Sequence, residues 1–131
     1  MIQLGTIVTV ADKTGVIFGQ CIKVLGNRKR YIGKLGDLIL ISVKWINVKR
    51  IALLKEKLQQ KYSKGTIHRA LIIRTKINYV RLAGVYIRFN ENAVIIVNKK
   101  RVPYSNRVFG PMLREFCLKW PWLGCVSRCI V

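Results

Sequence analysis

Side chains capable of acid–base chemistry are scarce in this chain and far apart in sequence. It has five acidic residues and a single histidine. Asp12 and Asp37 stand beside turn glycines, where a carboxylate typically accepts hydrogen bonds from nearby backbone. Glu115 is expected in the first turns of a helix, where a negative charge favours the helix dipole. Catalysis needs paired acids or a nucleophile beside a base, so the pattern predicts that the protein is not an enzyme.

The cysteines and the histidine are the other candidates for chemistry. Cys117, Cys125 and Cys129 lie in one short stretch, and a zinc site would need His68 or Cys21 as its fourth ligand. The close paired spacing of structural zinc sites is missing, and we expect buried free thiols instead. His68 is expected on a strand, facing the surface or RNA. The sequence contains no glycine loop of a phosphate-binding type, and we predict no metal and no other cofactor.

The cations are the informative feature. The chain carries 25 Lys and Arg against 5 Asp and Glu, a net charge of +20, although 51% of its residues are hydrophobic. A folded domain with this imbalance repels itself, and a polyanion relieves that repulsion. The charges are interleaved with apolar residues along the whole length, which predicts a body that is basic on several sides. Nucleic acid is the favoured partner, and an anionic membrane surface is the alternative.

Several cations stand next to aromatic residues or turns. Examples are Arg28-Lys29-Arg30-Tyr31, Lys44-Trp45 and Arg107-Val108-Phe109. Arginine pairs with phosphate through two parallel hydrogen bonds, and rings stack on unpaired bases. With so few acids available to pair with these cations, the set indicates RNA binding.

The apolar pattern predicts short strands, which are expected to form a small β-barrel. Asp12 to Gly15 is a turn signal that predicts a hairpin. Residues 55–64 are expected to be a mobile loop or a short helix, and residues 77–88 a twisted ribbon turning near Gly84. A helix is predicted over residues 112–120, with Pro111 at its start and Pro121 at its end. The predicted strands cover residues 6–10, 16–25, 38–46, 67–75, 93–97 and 124–131.

Longer blocks carry a resemblance to a known family. The chain resembles the universal large-subunit ribosomal protein fourteen family, of the bacterial type, in family order from residue 1 to about residue 116. The resemblance implies a mostly β single domain: a closed five-stranded barrel over residues 1–98 with a β-ribbon, then a loop and short C-terminal helices over residues 99–131. The blocks include Met1-Ile2-Gln3, Val10-Ala11-Asp12, Cys21-Ile22-Lys23-Val24-Leu25-Gly26, Arg69-Ala70-Leu71-Ile72-Ile73-Arg74-Thr75-Lys76, Ile87-Arg88-Phe89 and Arg107-Val108-Phe109-Gly110-Pro111.

The resemblance also implies a role in translation. It implies a structural constituent of the large ribosomal subunit that binds large-subunit rRNA and touches small-subunit rRNA in intersubunit bridges. Its protein neighbours would be large-subunit proteins three and nineteen, and family members can also dock a ribosome silencing factor. The residues expected to contact large-subunit rRNA are Lys13, Lys23, Arg28, Lys29, Arg30, Lys34, Arg69, Arg74, Lys76, Arg81, Arg88, Lys99, Lys100 and Arg101. The residues expected at the intersubunit interface are Lys44, Trp45, Lys49, Arg50, Arg107, Phe109 and Arg114.

The chain departs from the family pattern in three places. Ala83 replaces a polar residue, the loop over residues 99–106 carries three cations in place of a glycine-rich acidic turn, and the tail from Cys117 differs. We expect the loop to be mobile without RNA. The divergence, the Ile- and Lys-rich composition and a start without a presequence predict a mitochondrial ribosomal protein, with a bacterial or plastid ribosome as the alternative. The alternative function is an accessory cationic protein that binds RNA or a membrane surface.

Overall fold

Five strands form the centre of the fold. The computed structural model describes residues 2–26 and 31–131. Its strands are β1 (Ile7–Val10), β2 (Val16–Leu25), β3 (Leu38–Ile46), β4 (Ile67–Arg74), β5 (Tyr79–Val80), β6 (Tyr86–Ile87), β7 (Ala93–Val97), β8 (Val108–Met112) and β9 (Ser127–Ile130). Its helices are α1 (Val48–Ala52), α2 (Glu56–Lys61), α3 (Arg114–Lys119) and α4 (Pro121–Val126).

The barrel closes in the order β1-β2-β3-β4-β7, which confirms the predicted mostly β fold with a closed five-stranded barrel. Neighbouring strands are antiparallel except β1 and β7, which run parallel and close the barrel. Alternate residues of β3 point inward: Ile39, Ile41 and Val43 are at most 1% exposed. The β-branched residues suit this pleated surface, since one face packs in the core while the other carries polar or exposed groups.

The turn between β1 and β2 is held by Asp12, as the sequence predicts. The strands pair antiparallel, which confirms the hairpin. One carboxylate oxygen of Asp12 accepts hydrogen bonds from the backbone N–H of Thr14, at 2.9 Å, and from the Thr14 hydroxyl. The other oxygen accepts from the N–H of Ile96 on β7, also at 2.9 Å. Burial raises the pKa of Asp12, opposed by these hydrogen bonds. The side chain therefore joins the turn to the barrel.

Two of the barrel strands are buried on both faces. On β4 and β7, Ala70, Ile72, Val94 and Ile96 belong to the barrel interior. Their neighbours Leu71, Ile73, Ile95 and Val97 face outward into a second apolar cluster. Buried residues of the C-terminal segment complete that cluster, among them Met112, Leu113, Phe116 and Leu123. The C-terminal segment thus covers the outer face of β4 and β7.

The prediction for the start of the C-terminal segment is wrong in its details. Pro111 does not begin a helix: it lies in β8, which pairs parallel with β9, and α3 begins at Arg114. Proline is tolerated there because, in the described part of the chain, β8 pairs with β9 on one side and otherwise makes a single isolated bridge from Val108 to Asp12. Pro121 does end the first helix, but it also stands in the first turn of α4, which extends through Gly124 into the region predicted as strand.

The remaining elements agree with those predicted from the sequence, except for one helix that was not predicted. Residues 79–80 and 86–87 form the predicted ribbon, with Gly84 at its turn. The uncertain stretch after residue 55 contains the helix α2. The sequence analysis missed α1, which begins after Asn47, whose side chain accepts a hydrogen bond from the N–H of Arg50 at 3.3 Å. Among the described residues, no helix has the length and apolar character needed to cross a membrane.

Candidate RNA-binding surface

Most of the cations expected to contact RNA are exposed. They are spread over a turn, several strands and a loop, so no single element presents them all. Arg28, Lys29 and Arg30 lie outside the described residues. The exposed members of the set are Lys13, Lys23, Lys34, Arg69, Lys76, Arg88, Lys99, Lys100 and Arg101.

Arg74 was also expected to contact RNA, but its side chain is only 4% exposed. Its Nη1 donates to the carbonyl oxygens of Phe109 and Pro111 at 2.8 and 3.1 Å. Its Nη2 forms an ion pair with Glu91 at 2.7 Å. The guanidinium therefore binds β4 to β8, and it does not suit the predicted role as a phosphate contact.

Arg81 is also engaged inside the protein. Its Nε lies 2.6 Å from a carboxylate oxygen of Glu115, and its Nη2 donates to the backbone oxygen of Val131 at 2.5 Å. These contacts join the β5–β6 ribbon to the C-terminal segment. A side chain with its charge paired in this way has little left to offer a phosphate, so Arg81 is better explained as a structural residue.

Four of the five acidic residues bind groups within the fold, and no ion pair involves the exposed cations among residues 2–26 and 31–131. Asp37 accepts a hydrogen bond from the N–H of Lys34 at 2.8 Å, as its turn position predicts. Glu91 forms an ion pair with Arg74, and Glu115 forms one with Arg81. These are the ion pairs found within residues 2–26 and 31–131. The positive charge of the other cations is therefore available to an external polyanion.

The structure brings together part of the two segments expected at the interface. The guanidinium carbons of Arg50 and Arg107 lie 5.4 and 5.2 Å from the ring centroid of Phe109. Both distances are within the range of cation–π attraction. Helix α1 positions Arg50, and β8 positions Phe109, whose N–H donates to Ala11 at 2.7 Å. We call Arg50, Arg107 and Phe109 the arginine–phenylalanine cluster.

The other expected interface residues are exposed but separate from this cluster in their contacts. Trp45 is 63% exposed, and Lys64 lies 5.9 Å from its ring centroid. Lys44, Lys49 and Arg114 are also exposed. The sequence grouped them by position along the chain, whereas the cation–π contacts of the described members join Arg50 and Arg107 to Phe109, and Trp45 to Lys64.

A cleft between α2, β4 and the loop after β7 contains residues that the sequence analysis did not select. Lys61, at the end of α2, places its Nζ 3.4 Å from the ring centroid of Tyr104. Arg69 and Lys99 line the same cleft, whose volume is about 410 Å³. No sequence signal links Lys61 to Tyr104, because they come together only when the barrel closes. The order of cations and rings along the chain could not reveal this contact.

His68 stands at the wall of that cleft as a structural group. Its Nε2 lies 2.8 Å from the carbonyl oxygen of Lys61 and 3.0 Å from the Thr66 hydroxyl, which itself donates to Ser63. A carbonyl can only accept, so Nε2 carries the proton in the neutral ring. Burial lowers the pKa of His68, opposed by the hydrogen bond to Lys61. The imidazole is therefore neutral near pH 7, and its protonated Nε2 cannot act as a base toward the Thr66 hydroxyl beside it.

The four cysteines are free thiols that differ in exposure. Cys21 is buried in the barrel, Cys117 is half-buried, and Cys125 and Cys129 are exposed. The expectation of buried thiols is therefore wrong for these last two. In the part of the chain that the structure describes, no group of three or more His, Cys, Asp and Glu side chains is placed to hold a metal ion. The zinc alternative thus receives no support from the geometry.

Comparison with known families gives one finding for the whole chain. A family model described as "Ribosomal protein L14p/L23e" matches residues 1–131. The match includes the C-terminal segment, where the sequence departs from the pattern of the blocks before it.

Proposed function

Because the chain belongs to the ribosomal protein L14p/L23e family, it is a structural component of the large ribosomal subunit, and we propose that it binds large-subunit rRNA through its exposed cations. The observation that carries the proposal is the net charge of +20 together with the internal engagement of Asp12, Asp37, Glu91 and Glu115. Among the described residues, none of these four carboxylates forms an ion pair with an exposed cation, so none has to be displaced when phosphates approach. The family is a non-enzymatic one, and the mechanism is binding alone.

Binding follows from the chemistry of phosphate recognition. Lys and Arg neutralise phosphates and release the counterions condensed on the RNA. The closed barrel holds these cations in fixed positions, so they match one arrangement of phosphates better than others. Paired RNA hides its base edges in a deep groove, so recognition is mostly of RNA shape. Arg74 and Arg81 contribute indirectly, since they hold β8 and the ribbon in place.

Binding to large-subunit rRNA can be tested with two variants that lose equal charge. The test variant replaces Lys99, Lys100 and Arg101 by Gln, and the control variant replaces Lys55, Lys57 and Lys119, which are equally exposed. We expect the test variant to bind more weakly, with a slope of log K against log salt reduced by up to about 0.9 for each lost phosphate contact. Equal losses in the two variants would show that only total charge matters and would overturn the assignment of the loop.

We propose that the arginine–phenylalanine cluster lies at the intersubunit interface. Two guanidinium groups held against one ring present a planar, cationic surface that suits phosphates and stacked bases. The test is the joining of purified subunits in a sucrose gradient. Large subunits with Phe109→Ala should join less completely, whereas Tyr86→Ala, on the exposed ribbon, should join normally. Normal joining with Phe109→Ala would remove the cluster from the interface.

The protein partners and the compartment extend the proposal. We propose large-subunit proteins three and nineteen as neighbours and a ribosome silencing factor as a further partner. Exposed apolar side chains at the turn of the ribbon, such as Leu82 and Val85, offer a surface for protein contacts. Chemical cross-linking of intact subunits would identify the neighbours directly.

We propose that the ribosome is the mitochondrial one, on the basis of the divergent and Ile- and Lys-rich composition. A fractionation that separates mitochondria from cytosol and plastids tests the compartment. Recovery of the chain with mitochondrial rRNA supports the proposal, and recovery with cytosolic or plastid rRNA rejects it.

A further inference from the structure

The cleft between α2, β4 and the loop after β7 is strongly cationic. It is lined by Lys61, Arg69 and Lys99, and none of the described residues that line it is acidic. Its volume of about 410 Å³ is that of pockets that hold small ligands, which are about 300–1,000 Å³. A concave site with this charge concentrates phosphate more strongly than a flat surface does.

An aromatic ring stands at the same place. Tyr104 is 47% exposed, and it lies beyond the end of β7, where its N–H donates to Ile96 at 3.2 Å. The Nζ of Lys61, 3.4 Å from the ring centroid, covers one face of the ring. The ring keeps exposed surface on which a planar ligand can stack, with the cation adding to the attraction.

Polar groups on the wall of the cleft are already oriented. His68 keeps its Nε2 proton on the Lys61 carbonyl, which leaves Nδ1 unprotonated in the neutral ring. The side chain of Asn98 also accepts a hydrogen bond from the N–H of Val102, at 3.0 Å. Such fixed groups define the shape of the cleft before any ligand arrives, and this lowers the ordering cost of binding.

We propose that this cleft holds one unpaired nucleotide of the rRNA, with its base on Tyr104 and its phosphate between Lys61, Arg69 and Lys99. The inference rests on the proposed function and goes beyond it. It assigns an unpaired nucleotide to this cleft, whereas the rest of the surface is proposed to contact mostly paired RNA. A combination of stacking ring and cations is what single-stranded nucleic acid requires. Phosphate alone would leave the exposed ring unused, and an apolar ligand would not need three cations.

The experiment compares three variants of the full chain bound to large-subunit rRNA at several salt concentrations. Tyr104→Leu removes the stacking ring, Tyr104→Phe keeps it, and Tyr86→Leu removes an exposed ring on the ribbon as a matched control. Tyr104→Leu should weaken binding about ten-fold or more, the loss typical of one stacked base, without changing the salt slope. Tyr104→Phe and Tyr86→Leu should bind like the unmodified chain. Equal melting temperatures would show that every variant folds.

A second measurement locates the contact. After ultraviolet irradiation of the unmodified complex, mass spectrometry should find a nucleotide adduct on a peptide containing Lys61, His68 or Tyr104. The inference is overturned if Tyr104→Leu binds as tightly as the unmodified chain and if adducts lie only on other peptides. That outcome leaves rRNA binding itself intact. Failure of the unmodified chain to bind rRNA would instead overturn the proposed function and the inference with it.

Discussion

At the scale of single residues, Arg74 shows how a basic side chain in a cationic protein can serve the fold. It is 4% exposed, and its guanidinium binds two carbonyl oxygens of β8 and the carboxylate of Glu91. The backbone beside it fits closely: Gly110 has a φ of 83°, and a Cβ there would lie 2.8 Å from Nη1 of Arg74. Only glycine satisfies both conditions, so this arginine and this glycine depend on each other.

Replacing Arg74 should therefore weaken folding more than replacing an exposed arginine. We expect Arg74→Met to lower the free energy of unfolding by about 2–3 kcal/mol, because charge-assisted hydrogen bonds to two carbonyls are lost. Arg88→Met, at an exposed position, should change it by less than about 0.5 kcal/mol. Urea denaturation measures both. Equal stabilities for the two variants would show that Arg74 does not hold β8.

His68 makes a prediction about pH. Its pKa in the folded protein lies below the ordinary value of 6.5, mainly because burial disfavours the charged ring. The unfolded chain then binds more protons than the folded one as pH falls below that value, so stability present at neutral pH is lost. Denaturation midpoints should fall with acidification, and His68→Gln should reduce that dependence. A pH dependence unchanged in the variant would contradict the assignment.

At the scale of elements, the barrel strands were the most predictable part of the molecule. Residues 38–46 and 93–97 form strands with the predicted limits, because alternation of buried residues in the first and a short continuous apolar run in the second are local signals. The C-terminal segment was less predictable. Pro111 indicates a helix start only if the residues around it are helical. Here β8 pairs in parallel with β9, so Pro111 lies in a strand. That pairing depends on contacts made after the chain has folded back.

Helix α4 offers a test of how the C-terminal segment is held. Leu123 is fully buried against the outer face of the barrel, whereas Leu118 on α3 is 82% exposed. Leu123→Ala should cost about 2–5 kcal/mol of stability, because a buried side chain leaves a cavity. Leu118→Ala should cost less than about 0.5 kcal/mol. Thermal denaturation compares them, and a small effect at Leu123 would mean that the segment is not firmly packed.

The candidate site was predictable in its chemistry but not in its grouping. The excess of cations and the position of Phe109 were visible in the sequence, and the structure adds that Arg50 and Arg107 flank that ring. The contact of Lys61 with Tyr104 joins α2 to the loop after β7 and had no local signature. The burial of Arg74 could not be predicted either, since an arginine in a basic chain is expected to contact phosphate.

At the scale of the whole molecule, the net charge of +20 is a cost to the free protein. Cations on several elements repel one another, and few carboxylates offset them. We expect the melting temperature of the free protein to rise from low to physiological salt, because salt screens that repulsion. The variant lacking the charges at residues 99–101 should respond less. A melting temperature that falls with added salt would contradict this account of the charge.

The central claim is that the chain is an integral component of the large ribosomal subunit held by many phosphate contacts in fixed geometry. The most direct test sediments a lysate of the source through a high-salt gradient and follows the chain by mass spectrometry. Salt strips loosely bound cationic proteins, because counterion release makes simple phosphate binding salt-sensitive. We expect the chain to stay with the large subunit. If it remains at the top of the gradient, it is a loosely attached RNA-binding or membrane-binding protein, and the claim is wrong.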